Sequence, residues 1–159
     1  MLFGKGTAEK PVVTITERIT QYLTENKFGY TVLSDGTLRV PLRGDHVTWT
    51  VFIRYDDDRK VITIHSVLPL FAEDAQKLRI ADLLNRLNYC CLLGKWWLDN
   101  EDGEVSHITS FLADETCFSI EQFSALLHIN YRSVDKYFPA IASVNFGNLE
   151  PALVFNSIS

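Results

Sequence analysis

The sequence predicts an α+β fold in which an antiparallel β-sheet is flanked by helices. Three observations carry that prediction. Apolar residues recur at helical spacing in three separated stretches, roughly 13–26, 73–90 and 120–142. Between them lie period-two segments joined by tight turns, and strands joined that way are antiparallel neighbours. Strands and helices do not alternate as βαβ units, which disfavours a doubly wound parallel sheet. The expected order is helix, three or four strands, helix, two strands, helix.

The first helix follows from Val12, Ile15, Ile19, Tyr22 and Leu23. Thr14 or Thr16 can cap it, Glu17 lying three residues after Thr14 as in a capping box, and Asn26 and Gly29 are plausible stops. The period then changes to two. Tyr30 and Val32 lead through Ser34-Asp35-Gly36 to Leu38, Val40 and Leu42, and Asp-Gly between alternating runs signals a hairpin. Pro41 suggests an edge position or a strand end. His46 to Tyr55 is the clearest strand, with Val47, Trp49, Val51, Ile53 and Tyr55 on one face and Phe52 breaking the polar face. Asp56-Asp57-Asp58-Arg59 makes the next turn, and Val61 to Leu68 the next strand, which Pro69 is expected to end.

The second helix draws its stripe from Ala75, Leu78, Leu83, Leu84, Leu87 and Cys91. Lys95–Leu98 and Glu104–Leu112 flank Asn100-Glu101-Asp102-Gly103, a hairpin with glycine where a positive φ is needed. Ser119 is a good N-cap for the last helix, with Gln122 three residues on. Pro139 inside that helix should kink it or end it near Phe138. One domain is expected over 12–144. Residues 1–11 read as a flexible lead-in, and the apolar tail 145–159 carries no assignable element.

The strands keep apolar groups on both faces. Trp96 and Trp97 are adjacent, so in an extended strand their rings point to opposite sides. A sheet covered on one face only should be polar on the other. The second face is therefore expected to be covered by the tail, a dimer mate or a partner segment.

Composition narrows the function. The 159 residues carry 15 Lys+Arg against 20 Asp+Glu, a net charge of -5, and aromatics reach 12%. The chain is too apolar to be disordered and too acidic for general nucleic-acid binding, which leaves Lys77, Arg79 and Arg86 as scattered cations. No apolar run approaches a membrane span, and the first residues lack an apolar signal-peptide core, so a cytoplasmic protein with no membrane contact is expected. Cys90, Cys91 and Cys117 fit a reducing compartment, with Cys91 packed as a small hydrophobe.

No catalytic or metal constellation stands out. His46, His65, His107 and His128 lack metal-ligand spacing, and Asp56-Asp57-Asp58 reads as a solvated loop. Asp99 to Glu104 fails as a calcium loop, because with Gly103 at the sixth position the first ligand is Leu98 and the twelfth Thr109. The Cys90-Cys91 pair lacks the two-residue spacer of a redox motif. The expectation is no catalytic residue, no metal and no cofactor.

One stretch resembles a known family. Ile80 to Asn88 contains an LLNxLN run, Gly94-Lys95-Trp96-Trp97-Leu98-Asp99 follows, then Glu101-Asp102-Gly103-Glu104-Val105, and finally Asp135-Lys136-Tyr137-Phe138-Pro139. These look like motifs of the YbjN family of bacterial proteins, labelled sensory transduction regulators. The resemblance implies a type III secretion chaperone-like fold of order α-β-β-β-α-β-β-α. It also implies a small acidic homodimer that binds extended segments of partner proteins, with no catalytic residue attributed to it. Cys90-Cys91 and the tail depart from the family pattern.

The expected function is a non-enzymatic protein-binding module, chaperone-like or regulatory, acting as a homodimer or on a protein partner. Trp49, Phe52, Trp96 and Trp97 are the candidate contact residues, since aromatic anchors dominate interfaces. The alternative is a small-molecule sensor or enzyme with a pocket between sheet and helices, lined by His65, His107 and Asp99.

Overall fold

The computed structural model of the chain describes residues 13–158. The lead-in expected over 1–11, together with Val12 and Ser159, lies outside the described residues. Helix α1 spans Ile15–Glu25 and opens on the expected capping box. The Glu17 N–H donates to the Thr14 hydroxyl at 3.2 Å, and the Thr14 N–H donates to the Glu17 carboxylate at 2.8 Å. Its inward stripe is Ile15, Ile19 and Leu23, all buried.

Six strands follow the predicted alternation: β1 (Thr31–Val32), β2 (Leu38–Arg43), β3 (Thr48–Asp56), β4 (Val61–Phe71), β5 (Lys95–Leu98) and β6 (Glu104–Leu112). They form one antiparallel sheet in the order β1-β2-β3-β4-β6-β5. Pro41 lies past the last β2 residue paired with β1, so its missing N–H removes no bond to that strand. Pro69 does not end the sheet run. β4 continues to Phe71 across a register shift, where a residue without an N–H is tolerated.

Helix α2 spans Lys77–Cys90, starting later than expected, and buries Ile80, Leu83, Leu84 and Leu87. Ala75 and Leu78 do not join that stripe. Ala75 precedes the helix, and Leu78, half a turn out of phase with Leu87 at 100° per residue, is 87% exposed. Cys90 is exposed and Cys91 half-buried, both as free thiols. Helix α3 spans Ile120–Asn145, with the Ser119 hydroxyl accepting from the Gln122 N–H. Pro139 does not stop it near Phe138. Val134 before the proline and Ala140, Ile141 and Val144 after it are all buried, and this packing offsets the lost hydrogen bond.

The unassigned tail holds a fourth helix, α4 (Pro151–Ile158), with proline at a position that needs no N–H donor. It packs on α2 and α3 through buried Pro151 and Val154. The tail is therefore on the helical side and is not the cover for the sheet's second face. α3 lies across β4 and β6, α2 against β5, and α1 against α3. Burial alternates accordingly: Leu38, Val40, Val51, Ile53, Ile62, Ile64 and Val105 face the helices and are closed from water.

Two residues of the quoted motifs join helices to the sheet. Asn88 of α2 accepts from the Trp96 N–H at 2.6 Å and donates to the Trp96 carbonyl at 3.1 Å, which satisfies β5 at its open edge. Asp135 of α3 accepts from the His46 N–H at 2.9 Å, tying down the β2–β3 turn. Gly103, at φ +84°, leaves room for Ala72, whose N–H donates to its carbonyl at 2.7 Å; a Cβ there would sit 2.4 Å from the Ala72 oxygen.

Candidate functional site

Among the described residues, no helix packs on the outward face of the sheet. Five strands contribute to it, and the paired registers set its rows. Arg39, Phe52, His65, Ile108 and Lys95 form one row across β2, β3, β4, β6 and β5. Thr50, Val67, Ser106 and Trp97 form the next. Val61 pairs with Leu112 at one end and Phe71 with Glu104 at the other. Trp97 is 51% exposed, Phe71 57% and Leu112 75%, whereas Phe52, His65, Val67 and Ile108 are half-buried by one another. Large apolar side chains so placed are spread over one continuous surface rather than scattered singly.

Charged residues flank the apolar ones on this face, with Arg39, Arg54 and Asp56 towards β2 and β3 and Lys95 and Glu104 towards β5 and β6. The Lys95 ammonium lies 5.2 Å from the centre of the Trp97 ring, a cation–π contact. The His65 imidazole lies 3.9 Å from the Glu104 carboxylate. Partial burial lowers the His65 pKa and raises that of Glu104, the latter helped by the negative charges of Asp102 and Asp99. Both shifts follow from burial, which disfavours the charged form of each group.

The four aromatic residues singled out from the sequence separate into two pairs. Phe52 and Trp97 lie on the open face. Trp49 and Trp96 point the other way, each only 3% exposed, and belong to the core. The Trp49 indole N–H donates to the Ser66 hydroxyl at 3.0 Å, and Trp96 packs edge-on against His107. Phe71 and Leu112 also belong to the open face. The period-two signal that places Phe71 there runs past Pro69, where the strand was expected to stop.

His65, His107 and Asp99 do not line a common pocket. β4 and β6 are neighbours, but His107 pairs with Ser66 rather than with His65, so the two rings lie on opposite faces. His107 is fully buried beneath α3, where Asn130 donates to its Nδ1 at 3.1 Å and to the Thr109 hydroxyl at 3.2 Å. Burial pushes the His107 pKa down to about 4, so it is neutral at pH 7. Asp99 is occupied in its hairpin, accepting from the Glu101 N–H at 2.7 Å. The acidic turn is likewise engaged locally: Asp56 pairs with Arg59 at 2.8 Å and Asp57 with Lys60 at 2.7 Å.

The family model for YbjN, described as "putative bacterial sensory transduction regulator", matches residues 16–143. The chain belongs to the YbjN family. Among solved structures, it is similar to the crystal structure of YbjN from E. coli, titled there a "putative transcription regulator". The two share 17% sequence identity at a TM-score of 0.64, over 87% of this chain and 97% of that one. That likeness establishes a common fold. Among curated proteins, none matches the sequence. The YbjN match ends before α4, and Asn88 and Asp135 within it have the structural duties described above. Among the described residues, no helix is long and apolar enough to cross a membrane.

Proposed function

We propose that this YbjN-family chain is a non-enzymatic protein-binding module, regulatory or chaperone-like in character, and that it binds through the open face of its sheet. One observation carries the reading: four strands present Phe52, Val67, Phe71, Trp97, Ile108 and Leu112 on a face that, among the described residues, no helix covers. Five strands at ~4.8 Å spacing over ~25 Å of strand give roughly 600 Å² per copy, or about 1,200 Å² when two faces meet. That is the lower end of what specific interfaces bury, so the first occupant is a second copy of the chain, in exchange with a protein client. The family's description as a sensory transduction regulator agrees with a non-catalytic role. Three free thiols suit a reducing compartment, the cytoplasm.

Light scattering on the purified chain tests this, with Trp97→Glu and Phe52→Glu in parallel. The expected result is a dimer mass for the parent and a monomer for each variant, since a charge placed in a desolvated contact opposes association. A parent that stays monomeric at about 100 µM, and also recovers no protein from native cytosol, overturns the proposal; at that concentration any dimer tighter than Kd ~100 µM is well populated.

A further inference from the structure

A separate cleft opens on the other side of the molecule's β1 edge. Lys27, Phe28 and Gly29 leave the end of α1 and run alongside Pro41–Arg43 of β2 without pairing with it, because β1 pairs only Thr31 and Val32. The N-terminal half of α3 forms the floor. The resulting cleft measures about 1060 Å³, the scale of a small-molecule site.

Its walls are apolar: Tyr22, Phe28, Leu42, Leu127 and the ring of Tyr131. Two pairs of polar groups on these walls are already engaged, while the His128 ring, stacked on Tyr131, also lines the cleft. The Tyr22 and Ser124 hydroxyls bond each other at 2.7 Å, and the Tyr131 hydroxyl donates to the Arg43 carbonyl at 3.2 Å. Among the described residues, Glu121 is the one acidic residue lining the cleft, and its carboxylate accepts from the Ser119 hydroxyl at 2.7 Å while Arg18 offsets its charge.

The two cations lining the cleft are different. Among the described residues, neither the Lys27 ammonium nor the Arg43 guanidinium has a hydrogen-bond or ion-pair partner. Lys27 also sits at φ +61°, just past the C-cap of α1, where glycine is the usual residue. In a chain of net charge -5, two unpartnered cations beside an apolar cleft are a local reversal of sign.

We infer that this cleft binds an amphipathic carboxylate, its apolar body against Tyr22, Phe28 and Leu42 and its head group met by Lys27 and Arg43. An arginine and a lysine together offer charge-assisted bonds to both oxygens of such a head group. Arg43 has the outward parity of Arg39 on β2 and so stands at the rim between the cleft and the open sheet face, whereas Lys27, Phe28 and Tyr22 belong to the cleft alone; decanoate titration reads the cleft and light scattering reads the face, so the two readings fail separately.

Calorimetric titration of the full chain with sodium decanoate and with decyltrimethylammonium tests it, because the two probes share a tail and differ in head-group sign. The expected result is saturable 1:1 binding of decanoate, with the cationic probe at least about tenfold weaker, since a lost charge-assisted contact is worth about that much. The double variant Lys27→Ala, Arg43→Ala should weaken decanoate about tenfold or more and erase the preference, and Ala125→Trp should block the cleft. Arg86→Ala, which removes one positive charge on α2 away from the cleft, should leave decanoate binding unchanged. Circular dichroism checks the fold of each variant, and the double variant removes only exposed charges should Ala125→Trp fail to fold. Equal binding of the two probes, binding indifferent to the double variant, or no saturable binding at all overturns the inference.

Discussion

The two faces of the sheet are built from the same strands and have opposite fates. Trp96 and Trp97 are the sharpest instance: one peptide bond apart, one is 3% exposed beneath the helices and the other 51% exposed on the open side. The covered face is specific as well as apolar. Ser66, His107, Thr109 and Asn130 are fully or nearly closed from water, and Asn130 connects them by bonding Ser66, His107 and Thr109 together with the carbonyl of Ile64. Most of these buried polar groups are paired, which favours one packing because leaving one unpaired costs on the order of 1–3 kcal/mol, while the His107 Nε2 and the Trp96 indole N–H have no hydrogen-bond partner among the described residues. The open face has no such network. It offers apolar side chains set among charged ones, with Trp97, Phe71 and Leu112 left exposed.

The largest expected effect that separates the faces is a pair of alanine substitutions. Trp96→Ala should destabilise the fold by about 4 kcal/mol, since it removes a buried indole and leaves a cavity against His107 and Tyr137. Urea unfolding measures it, and a loss below about 1 kcal/mol would mean that the covered face is not the core described here.

A somewhat smaller effect is tied to pH and belongs to the covered face. The folded-state pKa of His107 is about 4 and the unfolded value 6.5. Below pH 6.5 the unfolded chain takes up a proton that the folded chain refuses, so stability is complete above pH 6.5 and falls as pH drops towards 4. The full difference is about 3 kcal/mol. His65, also lowered by burial, adds in the same direction. Unfolding curves at several pH values, with His107→Gln beside the parent, isolate the His107 share as the slope that the variant lacks.

The smallest effect belongs to the open face. Trp97→Ala should change the stability of the isolated monomer by no more than about 0.5 kcal/mol, as for an ordinary surface position. Dilute thermal or urea unfolding checks this, and a core-sized loss would erase the contrast with Trp96.

Much of the local architecture was legible in advance because its causes are local. Thr14 with Glu17, Ser119 with Gln122, and the Asp35-Gly36 and Asp102-Gly103 turns act over three or four residues, and each is found where the spacing places it. The strand limits at Lys95–Leu98 and Glu104–Leu112 also agree, since period-two burial is written directly in residue order. The errors fall where distant packing overrides local preference. Pro69 and Pro139 are both breakers by local rule, yet a register shift absorbs one and buried neighbours on both sides hold the other in a helix. Leu78 has the composition of a core residue and the phase of a surface one. Of the candidate contact residues, period two alone placed Trp96 and Trp97 on opposite sides, but it carried no information on which side the helices take.

The sequence by itself therefore determined the elements from α1 to α3, their order, the antiparallel class and the fact that two faces are apolar, because each follows from periodicity and from contacts between near neighbours in the chain. Tertiary structure alone decided that all the helices share one face, that the tail packs among them as α4, and that a cleft remains where β1 stops short of β2's end. Those outcomes depend on which of several apolar surfaces meet, a competition among contacts far apart in the chain, and a single residue's neighbours in sequence do not encode its result.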